Sequence, residues 1–149
     1  MRFVIQRVTH ASVTVDGKKQ AEIDRGFLVL IGICQTDSLS LADKMVHKLI
    51  GMRIFQDQEG KTNLSLRDVD GKLLLVSQFT LYADCRKGNR PSFTRAAGSE
   101  SAEAIYEYII AQCKKSIPGV EKGIFGADMK VEILNDGPFT IVLDSEDLG

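Results

Sequence analysis

The chain has 149 residues, a length that fits one domain, since compact domains usually run roughly 100–200 residues. Hydrophobic residues make up 44% and charged residues 26%, a balance that excludes disorder and supports an ordinary packed core. The 19 Lys and Arg against 20 Asp and Glu leave a net charge of −1, which argues against a protein that coats nucleic acid by bulk electrostatics.

Residues 2–34 read as a run of strands. Phe3, Ile5 and Val8 alternate imperfectly with polar neighbours, and Ser12-Val13-Thr14-Val15 meets Asp16-Gly17, with Ala21-Glu22-Ile23 beyond. Asp-Gly between such runs signals a hairpin, because both residues tolerate the positive φ of a type I′ turn. Phe27 to Ile33 is continuously apolar and predicts a strand buried on both faces. A helix follows, capped by Ser38 or Ser40, with Leu41, Met45, Val46, Leu49 and Ile50 at helical spacing. Arg53-Ile54-Phe55 reads as a short strand, residues 61–71 as polar loop, and Lys72 to Ser77 as a strand. From Tyr82 to Gly98 the chain is irregular and basic. A second helix opens at Ser99 with Ala102, Ile105, Tyr106, Ile109 and Cys113 on one stripe, and stops before Pro118-Gly119. Two strands close the chain, Lys130 to Leu134 and Phe139 to Asp144, split by Asn135-Asp136-Gly137-Pro138. The expected architecture is a single α+β domain over residues 1–149, dominated by its sheet, with two helices and no internal repeat or linker.

No stretch of about 18 apolar residues occurs, so no membrane span is expected. The start of the chain lacks the apolar block of a signal peptide, which points to the cytoplasm. Cys34, Cys85 and Cys113 are odd in number and widely spaced, and only His10 and His47 could join them. Zinc and a disulfide framework are therefore poor readings, and three buried reduced thiols are expected. Walker loops, dinucleotide fingerprints, zinc-protease motifs and nucleophile elbows are absent from the sequence. His47 on its helix and His10 at a strand end are weak candidates for a catalytic base.

Two segments carry chemistry. In Ser77-Gln78-Phe79-Thr80-Leu81 a buried apolar strand ends in three hydrogen-bonding side chains. That arrangement also fits a strand terminus that satisfies its own backbone. Asn135-Asp136-Gly137-Pro138-Phe139-Thr140 stands between two strands, and its composition equally suits a plain turn.

Taken as a pair, S-Q-F-T-L and N-x-G-P-x-T resemble the signature of the D-aminoacyl-tRNA deacylases, long called D-tyrosyl-tRNA deacylases. The resemblance runs the length of the chain, from Met1-Arg2 and Gln6-Arg7-Val8 through Arg90-Pro91-Ser92-Phe93 to the last strands. One departure is Phe139, where the family usually has Val. The resemblance implies a homodimer of small β-barrel-like subunits with active sites at the interface, needing no cofactor and no metal. It implies hydrolysis of the ester joining a D-amino acid to the 3′ end of tRNA, and removal of mischarged glycine. Ser77, Gln78, Phe79 and Thr80 are the implied catalytic segment. Asn135, Gly137, Pro138 and Thr140 are the implied substrate-binding and chiral-selection segment, with a cis Gly-Pro peptide entering the partner's site.

That assignment is physically sensible. One methylene in a side-chain pocket is worth only about 1–3 kcal/mol, so accepting many D-amino acids while sparing every L-amino acid requires a reading of the Cα itself. A backbone wall does this by clash, and glycine, with no side chain, escapes it. The activated ester needs little beyond orientation and an oxyanion site, for which the peptide N–H groups of Phe79 and Thr80 are candidates. Thr80 has no evident base to make it a nucleophile, which favours water aided by the ribose 2′-hydroxyl. Arg86, Lys87, Arg90 and Arg95 could grip the acceptor end or form a solvated loop. Phe93 either packs over the adenine or anchors the core, and Arg7 is a candidate brace for the Gly-Pro loop. The competing classes are a nucleic-acid-binding dimer without catalysis and a structural dimer with a degenerate site.

Overall fold

In the computed structural model, which describes residues 1–148, β1 (Arg2–Val15) runs unbroken across what the sequence suggests as separate strands. A tight turn at Asp16 (φ 49°) and Gly17 (φ 76°) leads to β2 (Lys18–Ile23), as the Asp-Gly pair predicts. Next, β3 (Gly26–Gly32) returns antiparallel along the first half of β1, while β2 occupies the second half of the same edge.

Helix α1 (Leu39–Gly51) is capped by Ser38, whose hydroxyl accepts the Leu41 N–H at 3.2 Å. The short β4 (Arg53–Gln56) pairs with β5 (Thr62–Ser65), so part of the expected polar loop at 61–71 is a strand. With one apolar residue, Leu64, β5 has no alternation to announce it. Strand β6 (Lys72–Ser77) lies parallel to β3 and ends in a 3-10 turn at Phe79–Tyr82. Helix α2 (Ser99–Lys114) buries the predicted stripe, and its Tyr106 hydroxyl donates to Leu75 O at 2.7 Å, pinning the helix to β6.

A three-residue strand absent from the sequence reading, β7 (Val120–Lys122), extends the sheet parallel to β6. Last comes β8 (Lys130–Asp144), one strand rather than the two expected, antiparallel to β1 on the edge opposite β2 and β3. The segment read as a turn is a bulge: between the pairs Val8–Asn135 and Gln6–Thr140, residues Asp136–Phe139 of β8 face only Arg7 of β1. Continuous β1 offers partners on both sides of the insertion, so pairing resumes in line.

The curved mixed sheet is barrel-like, with the two helices against one face. Alternation along β3 and β6 sends Phe27, Val29, Ile31, Leu73 and Leu75 to the helix side, and Leu28, Leu74 and Val76 to a second cluster with Val8, Val13 and Ile23. Burial of such a side chain is worth about 1.5–3 kcal/mol, which explains why these two strands read as unbroken apolar runs. No helix among the described residues is long and apolar enough to cross a membrane. Of the three thiols only Cys113 is buried, and burial pushes it up to about 12; Cys34 is half-buried and Cys85 exposed, contrary to the expectation of three buried thiols. Cys85 follows Asp84 into the basic loop, where no core exists to cover it.

Candidate active site

The S-Q-F-T-L segment is a strand end turned sharply back over β3. Gln78 N–H donates to Ile31 O at 2.7 Å, then Leu81 N–H closes onto Gln78 O at 3.2 Å and Ala83 N–H onto Thr80 O at 3.1 Å. The turn comes close because β3 ends in Gly32: a Cβ there would lie 2.8 Å from the Leu81 Cβ. A 3-10 turn leaves its first N–H groups without carbonyls of its own, and here those are Phe79 and Thr80. Gln78 Nε2 donates to the Thr80 hydroxyl oxygen.

Ser77, Gln78 and Phe79 line a cavity of about 590 Å³. Its opposite wall is the connection into β8, with Phe125 and Met129, and its floor includes Ala97 and Gly98 at the start of α2. Phe79 and Phe93 meet edge to face at 5.1 Å beside the opening, and Phe79 is 55% exposed. Phe93 is thus no core anchor. Among the lining side chains one is ionisable, Asp128, which is 87% exposed and paired with Lys130 at 3.3 Å. Neither histidine lines the cavity: His10 sits within β1 bonded to Glu22 at 2.6 Å, and His47 is exposed on α1.

The second motif is built as a rigid projection. Asn135 spans the bulge, donating from Nδ2 to Arg7 O and Phe139 O and accepting the Phe139 N–H at Oδ1, each at 3.0 Å. Arg7 braces it from below: Nε donates to Asp136 O at 3.2 Å and Nη1 to Ile54 O at 2.7 Å. Gly137 has φ 136°, a conformation L side chains avoid, and its peptide to Pro138 is cis. Gly137 and Pro138 are exposed, and Thr140 resumes pairing, its hydroxyl oxygen accepting from Gln6 Nε2 at 3.4 Å.

Within one chain the two motifs do not meet, since no residue of 135–140 lines the Ser77 cavity. Thr80, too, stands just outside the lining, on the exposed side of the turn. In the basic segment, Arg86 grips Asp84 with two bonds of 2.9 and 2.7 Å, and this pairing holds the Asp84 carboxyl down at about 2. Lys87 and Arg90 are exposed and in no ion pair among the described residues. Arg95 lies over the Tyr82 ring at 5.5 Å. The sequence reading missed the 125–131 wall and Gly32, whose small or common residues carry no signal by type. Arg7 did carry one: a charge at a core-facing position of an alternating strand.

The chain matches the family model of D-Tyr-tRNA(Tyr) deacylase over residues 4–144. It is 52% identical over 146 residues to the D-aminoacyl-tRNA deacylase of Clostridium novyi, covering 98% of both chains. It is 54% identical over 144 residues to that of Lactobacillus acidophilus, covering 97% of this chain and 99% of the relative. The solved structure of c-Myc DNA Unwinding Element Binding Protein superposes with a TM-score of 0.92 at 43% identity, covering 97% of this chain and 98% of that one. A match of this extent, on a chain that carries both motifs, means that it belongs to the D-Tyr-tRNA(Tyr) deacylase family of hydrolases.

Proposed function

We propose that the chain hydrolyses the ester of D-aminoacyl-tRNA, releasing free D-amino acid and tRNA, and that it works in the cytoplasm as a homodimer proofreading chirality. The observation that carries this reading is the rigid, exposed Gly137-Pro138 projection that lines no part of its own subunit's cavity. A wall built this carefully needs a surface to face, and a second copy supplies one. Strand β8 supports the dimer: its outer edge pairs with no strand among the described residues, and its outward face carries Leu134 and Val142 at 60% and 66% exposure.

In this arrangement the partner's Gly-Pro backbone closes the Ser77 cavity and meets the Cα substituent of the bound amino acid. A D side chain points away from the wall and an L side chain into it. Glycine has neither, so glycyl-tRNA is also hydrolysed. The N–H groups of Phe79 and Thr80 hold the carbonyl oxygen as it gains charge. Water attacks the ester carbon and gives its proton to the 2′-hydroxyl, which passes its own to the ribose 3′-oxygen as that bond breaks, so the 2′-hydroxyl is regenerated. The deciding experiment measures release of D-tyrosine and L-tyrosine from matched Tyr-tRNA; equal rates, or none with D-tyrosine, overturn the proposal.

Thr80 bears on the nucleophile. Its oxygen accepts from Gln78 and no base is bonded to it among the described residues, so Thr80→Ala is expected to retain most activity. A covalent ester trapped on Thr80, or a loss of several orders of magnitude in a folded variant, would reassign the attack to the hydroxyl.

The tRNA end is held by the basic segment Arg86, Lys87 and Arg90. Because Arg86 is already committed to Asp84, Lys87 and Arg90 carry the free charge. Lys87→Gln with Arg90→Gln should raise KM and flatten its salt dependence, each lost phosphate contact removing roughly 0.7–0.9 from the log–log slope. An unchanged slope makes the segment a solvated loop. The second reading, a nucleic-acid-binding dimer without catalysis, draws on the DNA-binding name of the 43% identical structure. It predicts tight DNA binding with no release of amino acid, and the same assay separates the two.

A further inference from the structure

Arg7 is an unusual residue for the inner face of a strand. Its side chain is 8% exposed, and a buried guanidinium is costly unless its donors and its charge are met. Its two hydrogen bonds go to neutral carbonyls, those of Asp136 and Ile54. The carboxylate of Asp136 is 3.7 Å away and half exposed, so water screens much of its attraction. The face of the guanidinium is met by Phe139, whose ring centroid lies 4.6 Å from Cζ.

That ring is itself held in place. Asn135 grips the Phe139 backbone on both sides, and the side chain packs against the main core. Gly137 sits between the two partners: a Cβ on it would stand 3.1 Å from Arg7 Nη2 and 3.2 Å from Phe139 Cβ. Arg7 and Phe139 therefore form two sides of the slot that fixes the Gly137 backbone.

We infer that Phe139 is a positioning residue for stereochemical selection, its ring face steadying Arg7 so that the pair fixes the Gly137 wall. The inference rests on the reading that this loop screens the amino acid. An aromatic face attracts a guanidinium through its quadrupole, and an aliphatic side chain of similar size does not.

The test compares the wild type with Phe139→Leu, Phe139→Tyr and Gly137→Ala, measuring kcat/KM on D-Tyr-tRNA and L-Tyr-tRNA. Phe139→Leu should raise the L rate relative to the D rate by roughly five- to tenfold, the scale of a partly desolvated cation–π contact. Phe139→Tyr keeps the ring and should keep the wild-type ratio. The Arg7 Nε–H resonance, displaced by the ring current, should shift in the Leu variant and stay in the Tyr variant. In an Arg7→Met background the Leu effect should largely vanish, because the cation on which the ring acts is gone. Phe139→Met serves as a second aliphatic replacement should Phe139→Leu not fold. If Phe139→Leu keeps the wild-type ratio while Gly137→Ala loses it, the inference is overturned and the screening loop stands. A ratio unchanged in both variants overturns the screening reading itself. Equal damage from Tyr and Leu, or a full Leu effect in the Arg7→Met background, means the ring acts by packing alone and overturns the inference.

Discussion

Transfer RNA ending in 2′-deoxyadenosine, with the D-amino acid on its 3′-hydroxyl, is expected to be hydrolysed about 10²-fold or more slower than its ribose counterpart, the usual worth of a positioned acid–base group. Proton transfer in the cavity has no obvious protein agent. The lining offers hydroxyls from Ser77 and Ser99, an amide from Gln78, and the exposed, paired carboxylate of Asp128. His10 and His47 lie elsewhere, each on its own element. A vicinal 2′-hydroxyl is present in every natural substrate and already sits beside the leaving oxygen, so no side chain has to be positioned for it. The comparison should use single-turnover conditions, with binding of the uncharged deoxy-tRNA measured separately. Hydrolysis of the deoxy ester at the ribose rate would show that the protein handles the proton itself, and Asp128 would become the group to remove next.

The parts of this molecule legible in its sequence are those where one residue type does one local job. Phe27–Ile33 and Leu73–Val76 read as strands because both of their faces are buried, and Ser38 and Asp16-Gly17 announce a cap and a turn by their own conformational preferences. Non-local pairing was less readable. Asn135-Asp136-Gly137-Pro138 has the composition of a strand-ending turn, yet β1 continues past it and captures both flanks, making it a bulge. Three-residue β7 exists because β6 has an edge to offer, not because Val120-Glu121-Lys122 prefers extension. The site divides the same way. Ser77-Gln78-Phe79-Thr80 and Gly137-Pro138 stood out by motif, while the cavity's far wall at 125–131 is set by where the β7–β8 connection folds. The sequence offers Arg86 as a grip on the acceptor end or as part of a solvated loop, whereas the fold turns its Nε and one terminal nitrogen onto Asp84 two residues earlier.

Gly137→Ala should do more damage than a single methyl ordinarily does. The added Cβ would stand 3.1 Å from Arg7 Nη2 and from Phe139 N, and 3.2 Å from Phe139 Cβ, at φ 136°, where L side chains rarely sit. Arg7 is held by two carbonyls and Phe139 by Asn135, so neither neighbour yields easily and the loop itself must move. A wall displaced by about 1 Å can cost on the order of 10²-fold in rate, because the ester is no longer held in line for attack. Activity on D-aminoacyl-tRNA is therefore expected to fall by about that factor, with discrimination against the L ester weakened alongside. Mixing subunits then tells which cavity the loop serves. Gly98 lines the cavity and has nothing within 4 Å of its Cβ position, so a Trp there has room, and Gly98→Trp serves as the blocked-cavity subunit once it is folded, dimeric and inactive alone. Each variant alone should be nearly inactive. If the loop crosses to the partner, a heterodimer of the two unites one intact cavity with one intact loop, and a statistical equal mixture recovers about a quarter of wild-type activity. If the loop serves its own subunit, both cavities in the heterodimer remain spoiled and nothing is recovered. Circular dichroism and sedimentation establish fold and assembly in each mixture. Wild-type rates and full chiral preference in Gly137→Ala would reduce the loop to a bulge in β8 and remove the basis of the selection mechanism.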